Sequence, residues 1–238
     1  MSRRIAFLTV IAAAALSVGL AAHAGLTATR KLPSPSHFSA RIDNPWLPLR
    51  PGTLFIYRGT KDGKPSRDML TVTHRTASID GYPCVVVYDK LFLSGILEER
   101  TIDWYTQDDR GNVWYFGEAT EQLDPHGKVV STEGSWRTGV NGAVPGIFLP
   151  AVPKVGQTGR QEFYKGHAED HFRVLDVHAH VSVPAVSSKA AVLTEEWTPL
   201  EPGVLDHKYY VRGIGNVLEQ SVRGPNERNE LVSVTKTP

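Results

Sequence analysis

The densest group of side chains that could bind a metal or transfer a proton lies between residues 167 and 180. It contains four histidines with several acidic neighbours. Side chains two residues apart in a β-strand share a face, so Asp176, His178 and His180 would project to the same side. Such a face could bind zinc or copper, but a solvated strand face has the same alternation. Because third and fourth ligands are not assured, we predict no metal site and no cofactor.

A second candidate site is a pair of aromatic segments. Trp104 and Tyr105 precede a turn at residues 108–112, and Trp114 and Tyr115 follow it, so the segments should pair as antiparallel strands. Pairing would then place one aromatic cluster on each face of the sheet. One cluster should belong to the core, because aromatic side chains bury large areas in ordinary cores. The other could stack a sugar or an acyl chain.

The third candidate is an apolar segment, residues 131–156, which is rich in Gly and Pro but contains six large apolar side chains. A flexible linker should instead be polar or stiff with proline. Long loops in compact domains are usually packed or functional. We therefore expect the segment either to fill the seam between two halves of the protein or to cover a ligand. Its large apolar residues are Trp136, Val144, Ile147, Phe148, Leu149 and Val152.

Acidic residues also recur in this part of the sequence. Glu118 with Glu133, or Glu169 with Asp170, could supply the two carboxyl groups of a glycoside hydrolase. Acidic residues on hairpins are more often solvated charges. The sequence lacks a nucleophile elbow, a His-Glu-x-x-His pair and a glycine-rich phosphate loop. We therefore favour a protein that is not an enzyme and assign no catalytic residue.

The N-terminus has the layout of a secretory signal peptide. Arg3 and Arg4 precede an apolar run over residues 5–22, and residues 22–24 read Ala-His-Ala. We predict cleavage after Ala24, a secreted or periplasmic mature chain, and no integral membrane segment after cleavage. Loss of the two arginines from 26 basic residues leaves 24 against 25 acidic ones. Nothing in this balance suggests a nucleic-acid partner, which requires a basic surface.

The single cysteine, Cys84, excludes an intrachain disulfide. It begins the continuous apolar run Cys84-Val85-Val86-Val87-Tyr88, which is typical of a buried strand. A buried free cysteine usually behaves as an inert packing residue. We therefore predict a structural role for Cys84.

Most of the chain after residue 44 alternates short runs of β-branched and aromatic residues with turn signals such as Asp62-Gly63 and Asp80-Gly81. Outside the signal peptide, no window of ten or more residues has a convincing helical apolar stripe. The predicted fold is mainly β, with antiparallel sheets in two related halves. These halves would form either a single pseudo-symmetric β domain or two packed β subdomains.

An internal duplication would explain why the two halves can be aligned. The alignment places Tyr105 on Tyr209, and the Gly-Asn-Val string at 111–113 on the same string at 215–217. Unrelated hairpins with similar turn chemistry would produce the same matches. The predicted units are a signal peptide (1–24), a flexible N-terminal segment (25–43), a first β repeat (44–130), the apolar loop (131–156) and a second β repeat (157–238).

Several strings resemble those of a family of secreted bacterial β-rich proteins without assigned activity. They are TIDWYTQDDRGNVWYFGE at 101–118, PGIFLPAVPKVG at 145–156 and KYYVRGIGNV at 208–217, among others. The resemblance spans about residues 42–217 and implies an exported β protein without implying a mechanism. A weaker fold-level likeness is to envelope proteins that carry lipids or lipoproteins in an open half-barrel. It rests on a Tyr-Tyr strand that ends in a glycine turn.

The sequence therefore predicts a secreted, envelope-associated β protein that binds a hydrophobic or glycan ligand, since ligand pockets are largely apolar with a few placed polar groups. An extracellular hydrolase with paired carboxylates is one alternative. A structural or adhesive envelope protein, with exposed apolar residues at a protein interface, is another. The predicted ligand-binding residues are Trp104, Trp114, Tyr115, Glu118, Glu133, Trp136, Ile147 and Phe148.

Overall fold

A computed structural model describes residues 32–236, and the predicted signal peptide lies outside them. The described chain contains sixteen strands and a short 3-10 turn at Pro35–His37, which confirms the prediction of a mainly β fold. No helix in this part of the chain has the length and apolar composition needed to cross a membrane. The strands are β1 (Phe38–Ser39), β2 (Thr53–Lys61), β3 (Lys64–Ile79), β4 (Tyr82–Leu93), β5 (Ile96–Asp108), β6 (Val113–Leu123), β7 (Val129–Ser131), β8 (Trp136–Arg137), β9 (Val144–Leu149), β10 (Thr158–Arg160), β11 (Glu162–Phe163), β12 (His171–Val183), β13 (Val186–Trp197), β14 (Leu205–Val211), β15 (Gly215–Arg223) and β16 (Arg228–Lys236).

The strands form one continuous antiparallel sheet. Its order is β10, β12, β13, β14, β15, β16, β2, β3, β4, β5, β6, β9 and β11. Three short strands extend its margins, with β1 paired to β5 and with β7 and β8 paired to β6. The chain therefore forms a single β domain, which is one of the two architectures that the sequence predicts, and not two packed subdomains.

The two edges of the sheet come together at residues 158–163. β10 pairs with β12 at one edge, β11 pairs with β9 at the other, and Gln161 alone separates β10 from β11. Gly146 on β9 faces this crossing, where an added Cβ atom would lie 2.1 Å from the carbonyl oxygen of Arg160. The sheet is therefore strongly curved and nearly closed, and it encloses an interior.

Three two-residue turns connect the strands from β2 to β5. Asp62-Gly63, Asp80-Gly81 and Ser94-Gly95 occupy their central positions, and all six residues have φ between 50° and 86°. Positive φ at both central residues defines the type I′ turn, whose twist matches that of the flanking strands. The hairpins predicted from these dipeptides are confirmed.

The main hydrophobic core lies inside the sheet, toward the end at which β2 begins and β5 ends, which we call the apolar end. Val72, Val87 and Tyr105 point into this core from neighbouring strands and are at most 1% exposed. Residues 42–49 lie across the same end and add buried Ile42, Leu47 and Leu49 to the core. The opposite end, at the Asp62-Gly63 and Ser94-Gly95 turns, we call the polar end.

A smaller core covers the outer face of β4, β5 and β6. Phe38, from the described part of the predicted N-terminal segment, packs edge-on against Tyr82 at 5.0 Å and Trp114 at 5.7 Å between ring centres. Cys84 lies in this core as a buried free thiol, and burial raises its pKa to about 12. The structure therefore confirms that Cys84 is buried in a hydrophobic core, and its low reactivity stays a prediction.

The apolar segment 131–156 is largely built into the sheet. β8 and β9 both pair with β6, so the segment extends the sheet where the sequence predicts a loop. Phe148 and Leu149 are fully buried in the main core, whereas Val152 is 70% exposed. The unpaired edge of β6 accounts for the strand structure, because it offers backbone groups to any extended segment beside it.

Two aligned glycines of the predicted internal duplication have similar backbone conformations in the structure. Gly111 precedes β6 and Gly215 begins β15, and both have positive φ, at 80° and 117°. Both positions require a conformation that suits glycine. Similar turn chemistry explains this likeness equally well, so the duplication stays a prediction.

Candidate functional site

The interior changes from apolar to charged along the strands. On β3 the inward side chains are Val72 and Leu70 toward the apolar end, then Asp68 and Ser66 toward the polar end, and all four are buried. The inward positions of β5 show the same change from Tyr105 to acidic residues. We call this region the acidic interior. Its charged residues, none more than 6% exposed, are Asp68, Asp89, Glu99, Asp103, Glu118, Glu162, Glu196, Lys208 and Glu219.

Lys208 on β14 is the cation at the centre of this region. Its Nζ atom lies 2.8 Å from Glu196 Oε2 and 3.5 Å from Glu219 Oε1. The hydroxyl groups of Thr194 and Tyr210 donate hydrogen bonds of 2.9 and 3.2 Å to Glu196 Oε1. β14 lies between β13 and β15, so pairing in the sheet brings the lysine between the two carboxyl groups.

Burial makes the two carboxyl partners of Lys208 unequal. Desolvation raises the pKa of Glu219 to about 8, although the nearby Lys208 lowers it. Desolvation lowers the pKa of Lys208, but Glu196 and Glu219 more than offset this and hold it well above its ordinary value. Lys208 therefore stays charged with Glu196 as its close partner, and Glu219 holds a proton at neutral pH.

A second polar group lies on β5 and β6. The hydroxyl of Tyr115 donates a hydrogen bond of 2.6 Å to Asp103 Oδ1, and the Tyr115 ring stacks on Tyr105 at 4.7 Å between ring centres. Burial raises the pKa of Tyr115, and Asp103 and Glu118 raise it further. The phenol is therefore a protonated hydrogen-bond donor at the boundary between the core and the acidic interior.

A chain of hydrogen-bonding contacts continues along these two strands. Thr120 Oγ1 lies 2.7 Å from Glu118 Oε2 and 3.1 Å from Thr101 Oγ1, which lies 3.2 Å from Glu99 Oε1. Two hydroxyl protons serve three contacts. A further proton on one of the two carboxyl groups would complete the chain, because a protonated carboxyl group is also a donor.

A third polar group lies where the two sheet edges meet. Burial raises the pKa of Glu162 on β11, and the neighbouring Asp170 raises it further. Burial also raises the pKa of Asp170, to about 8, against the lowering effect of Lys208. Burial therefore favours the protonated form of both carboxyl groups.

A narrow pocket lies at the polar end of the sheet, between β2, β3, β4, β15 and β16. Lys61 and Glu227 form a buried ion pair there, 3.7 Å apart, and the amide of Asn229 donates a 3.3 Å hydrogen bond to Asp68. Glu219 belongs both to the pocket and to the group around Lys208, so the pocket adjoins the acidic interior. The lining residues are Thr60, Lys61, Ser66, Leu91, Glu219, Glu227, Arg228 and Asn229.

Four of the eight predicted ligand-binding residues lie inside the sheet. Tyr115 packs edge-on against Trp136 at 5.5 Å and against Phe148 at 5.9 Å between ring centres. These rings are at most 4% exposed and form part of the main core. Glu118, 2% exposed, belongs to the acidic interior beside them. Trp136 and Phe148 contact protein, which is one of the two roles expected for the apolar segment, and Tyr115 belongs to the core, as expected for one of the two aromatic clusters.

The other four predicted residues lie elsewhere. Trp104 and Trp114 pack on the outer core, and Ile147 is half-buried opposite Trp114 in the sheet. Glu133 is half-buried, with its carboxylate 3.3 Å from Nδ1 of His167. The structure does not bring all eight residues into one pocket, and their role in binding stays a prediction.

The carboxyl pairs considered for a hydrolase have dissimilar surroundings. Glu118 is in the interior, whereas Glu133 lies beside His167 near the surface. Glu169 accepts a 2.7 Å hydrogen bond from a backbone amide in its own turn, whereas Asp170 interacts electrostatically with Lys208 and Glu196 of the interior. None of these four residues lines the pocket at the polar end, and glycoside cleavage requires two carboxyl groups that face one cleft.

The histidines are dispersed rather than gathered. His178 and His180 are exposed on β12, where bulges interrupt the pairing with β13. His171 stacks on Trp197 at 5.6 Å between ring centres, and burial lowers its pKa. Within residues 32–236, no three His, Cys, Asp or Glu side chains are placed so that they could hold a metal ion.

The residues that organise the acidic interior were missed in the sequence. Lys208 and Glu219 lie in the part of the chain that the sequence predicts to be β-strands, but their charges suggest a solvated face. The available signal was alternation, because Lys208 shares a strand face with Tyr210 and Glu196 shares one with Thr194. A hydrophobic or β-branched residue two positions from a charge can indicate that the charge is also buried.

No protein-family model matches the chain, and no curated protein matches it. Two solved structures are similar to it. One is a protein of Bacteroides fragilis proposed to be exported, with a YmcC-like fold; it is 16% identical, the match covers 80% of this chain and 99% of that one, and the TM-score is 0.45. The other is a protein of Parabacteroides distasonis proposed to be a lipoprotein; it is 9% identical, the match covers 81% of this chain and 99% of that one, and the TM-score is 0.41.

Proposed function

We propose that this protein is an exported binding protein that holds a small, polyhydroxylated ligand, such as a fragment of a glycan, in the acidic interior. The predicted signal peptide supports export. The observation that carries the binding proposal is the pocket at the polar end, which adjoins Glu219 and through it the group around Lys208. Ligand sites commonly combine a concave shape with a few convergent polar groups of perturbed pKa.

The chemistry of the pocket favours hydroxyl groups as its ligand. A protonated Glu219 can donate one hydrogen bond and accept others, and an ionised carboxylate is a strong acceptor. Lys61 and Asn229 add donors at the pocket wall. Vicinal hydroxyl groups both donate and accept, so one edge of a sugar could satisfy several of these groups at once. The pocket has room for about one water molecule, so a whole sugar ring would have to widen it.

The distribution of apolar residues argues against a lipid in the interior. The rings predicted to line such a site, Tyr115, Trp136 and Phe148, pack against one another in the main core. The pocket wall instead contains Lys61, Glu227 and Arg228 beside a single leucine. An acyl chain in this pocket would desolvate charges without replacing their hydrogen bonds, which costs several kcal/mol per ion, roughly.

The proposal also explains why so many acidic groups are buried. Taking carboxyl groups out of water reduces stability even when they are paired. Natural proteins commonly keep such destabilising groups where function requires them. A preformed polar interior would contribute to ligand affinity because its groups are already oriented before binding.

Calorimetric titration of the mature protein with a panel of neutral, acidic and amino sugars tests the proposal. We expect at least one sugar to bind, and Glu219→Gln to weaken its binding by a few-fold to about tenfold, because the amide cannot reproduce every hydrogen bond of the carboxyl group and a hydrogen bond between neutral groups contributes about 0.5–1.5 kcal/mol. Glu121→Gln is the matched control, since Glu121 pairs with Arg100 on the outside of β5 and β6.

Equal affinity of the wild type and Glu219→Gln would contradict the proposal. So would binding of aliphatic ligands only, or loss of sugar binding in the Glu121→Gln control. Circular dichroism of each variant separates a weakened site from a disrupted fold.

A further inference from the structure

Four loops meet at the apolar end of the sheet and form one surface. One loop joins β5 to β6, one follows β9, and one joins β14 to β15. The fourth precedes β2 and covers the main core. We call their combined exposed face the loop surface, and it comprises residues 43–51, 108–112, 150–155 and 212–214.

Hydrogen bonds hold these loops against one another. The side-chain amide of Asn44 donates a 2.7 Å hydrogen bond to the carbonyl oxygen of Gly111. The backbone amide of Gly213 donates a 2.7 Å hydrogen bond to the carbonyl oxygen of Pro45. The backbone amide of Ala151 donates a 3.1 Å hydrogen bond to a side chain of the 108–112 loop. The loop surface is therefore a connected part of the fold.

Apolar side chains project from this surface. Val152 and Val155 are 70% and 64% exposed, more than any other large hydrophobic residue within the described part of the chain. Trp46 and Ile214 are half-buried in the same surface. Monomeric soluble proteins seldom expose such side chains in a group unless the group contacts a partner or a membrane.

Basic side chains lie in the same four loops as the apolar ones. Arg50, Arg110, Lys154 and Arg212 are all exposed, and none of them forms an ion pair with another residue of the 32–236 region. The guanidinium group of Arg212 lies 5.5 Å from the centre of the Trp46 ring. A tryptophan beside basic and apolar side chains is typical of surfaces that sit at the boundary between water and lipid headgroups.

The acidic residues of the same surface are already engaged. Asp109 pairs with His37, and Asp43 lies 3.8 Å from Arg41. Asp108 accepts hydrogen bonds from its own turn and from the indole of Trp114. The loop surface therefore has four basic residues against three acidic ones, a formal charge of +1, and its acidic residues are the ones held by neighbouring groups.

We propose that the loop surface docks the protein on a membrane that contains anionic lipids. Val152 and Val155 enter the headgroup layer, and the arginines and lysine of the four loops lie against lipid phosphates. The positive charge is complementary to such a layer, where each basic residue strengthens binding.

Docking through this surface would leave the candidate ligand site accessible. The pocket is at the polar end, near the Asp62-Gly63 turn, whereas the loop surface is at the opposite end of the same strands. The membrane proposal does not depend on ligand binding, and each can fail alone.

Vesicle flotation tests membrane docking with the mature protein. We expect binding to mixed phosphatidylglycerol and phosphatidylcholine vesicles, and much weaker binding to phosphatidylcholine alone. Val152→Ser with Val155→Ser should weaken binding at least about tenfold, because two exposed apolar anchors are lost. Arg50→Gln with Arg212→Gln should weaken binding to anionic vesicles by roughly fivefold for each charge.

The matched control is Val129→Ser with Val130→Ser on β7, at the polar end. These valines are 37% and 61% exposed, so the control removes similar apolar area away from the loop surface. It should bind vesicles as the wild type does.

Three results would overturn the proposal. The first is equal binding to both vesicle types or binding to neither. The second is complete competition by inorganic phosphate at moderate concentration, which would indicate a site for free phosphate instead of a lipid surface. The third is a dimer in sedimentation velocity that the Val152 and Val155 substitutions dissociate, which would assign the loop surface to a second copy of the chain.

Discussion

Replacing Glu219 with glutamine should remove much of the pH dependence of the protein's stability. Burial raises the pKa of Glu219 from its ordinary 4.5 to about 8 in the folded protein. The folded state therefore binds this proton more tightly than the unfolded state does. The stabilising contribution is full below about pH 4.5 and is lost as the pH rises through about 8.

The magnitude follows from the size of the shift. Each pKa unit corresponds to about 1.4 kcal/mol, so a change in the pKa of Glu219 from 4.5 to about 8 corresponds to at most roughly 5 kcal/mol of unfolding free energy. Asp170 and Asp206, with pKa values raised to about 8 and about 6, contribute changes of the same sign. The wild type should therefore lose stability steadily between about pH 5 and about pH 8.

Urea unfolding followed by tryptophan fluorescence, at intervals from about pH 5 to about pH 9, measures the effect. Glutamine resembles the protonated carboxyl group in shape and charge, so Glu219→Gln should show a shallower decline than the wild type. Glu121→Gln, on the outer face, should keep the full slope. An unchanged slope in Glu219→Gln would refute the assignment of a proton to Glu219 in the folded state at neutral pH.

Three further predictions concern packing. Gly146→Ala should reduce the free energy of unfolding by about 1–3 kcal/mol in urea melts, because its Cβ atom would clash with the backbone of Arg160. Gly203→Ala is the control and should be nearly neutral, since an added Cβ atom there would have nothing within 4 Å. Equal losses in the two variants would contradict the close approach of the two sheet edges at Gly146. Trp136→Ala should cost about 3–5 kcal/mol in the same assay because the ring is in the main core, whereas an undisturbed melt would favour a ligand-covering role. Cys84 should react with a colorimetric thiol reagent only after unfolding, and fast reaction in the native state would contradict its burial.

The fold could be predicted from the sequence because the sequence patterns that indicate turns and strands are local. Asp-Gly pairs require positive φ, and they mark tight hairpins wherever β-branched runs flank them. The alternation in runs such as 172–183 and 206–211 indicates strands within a few residues of the observed bounds. The apolar segment 131–156 was harder, because its short strands depend on the free edge of β6, which is a feature of the folded sheet and not of the segment.

The candidate site was less accessible because it depends on which face of each strand becomes the inside. Tyr105 and Tyr115 point inward while Trp104 and Trp114 point outward, and local alternation is the same for either choice. Lys208 is a charged residue of the kind that usually lies on the solvent-exposed face of a strand. Only the curvature of the whole sheet buries it between two carboxyl groups, and that curvature is a long-range property.

A crystal structure of the mature protein with its tightest-binding sugar tests the proposed ligand site most directly. We predict electron density for the sugar in the pocket at the polar end, with a hydroxyl group in hydrogen-bond contact with Glu219 and others near Lys61 or Asn229. Density over Trp104 on the outer face, or between Trp136 and Phe148, would contradict the acidic interior as the binding site.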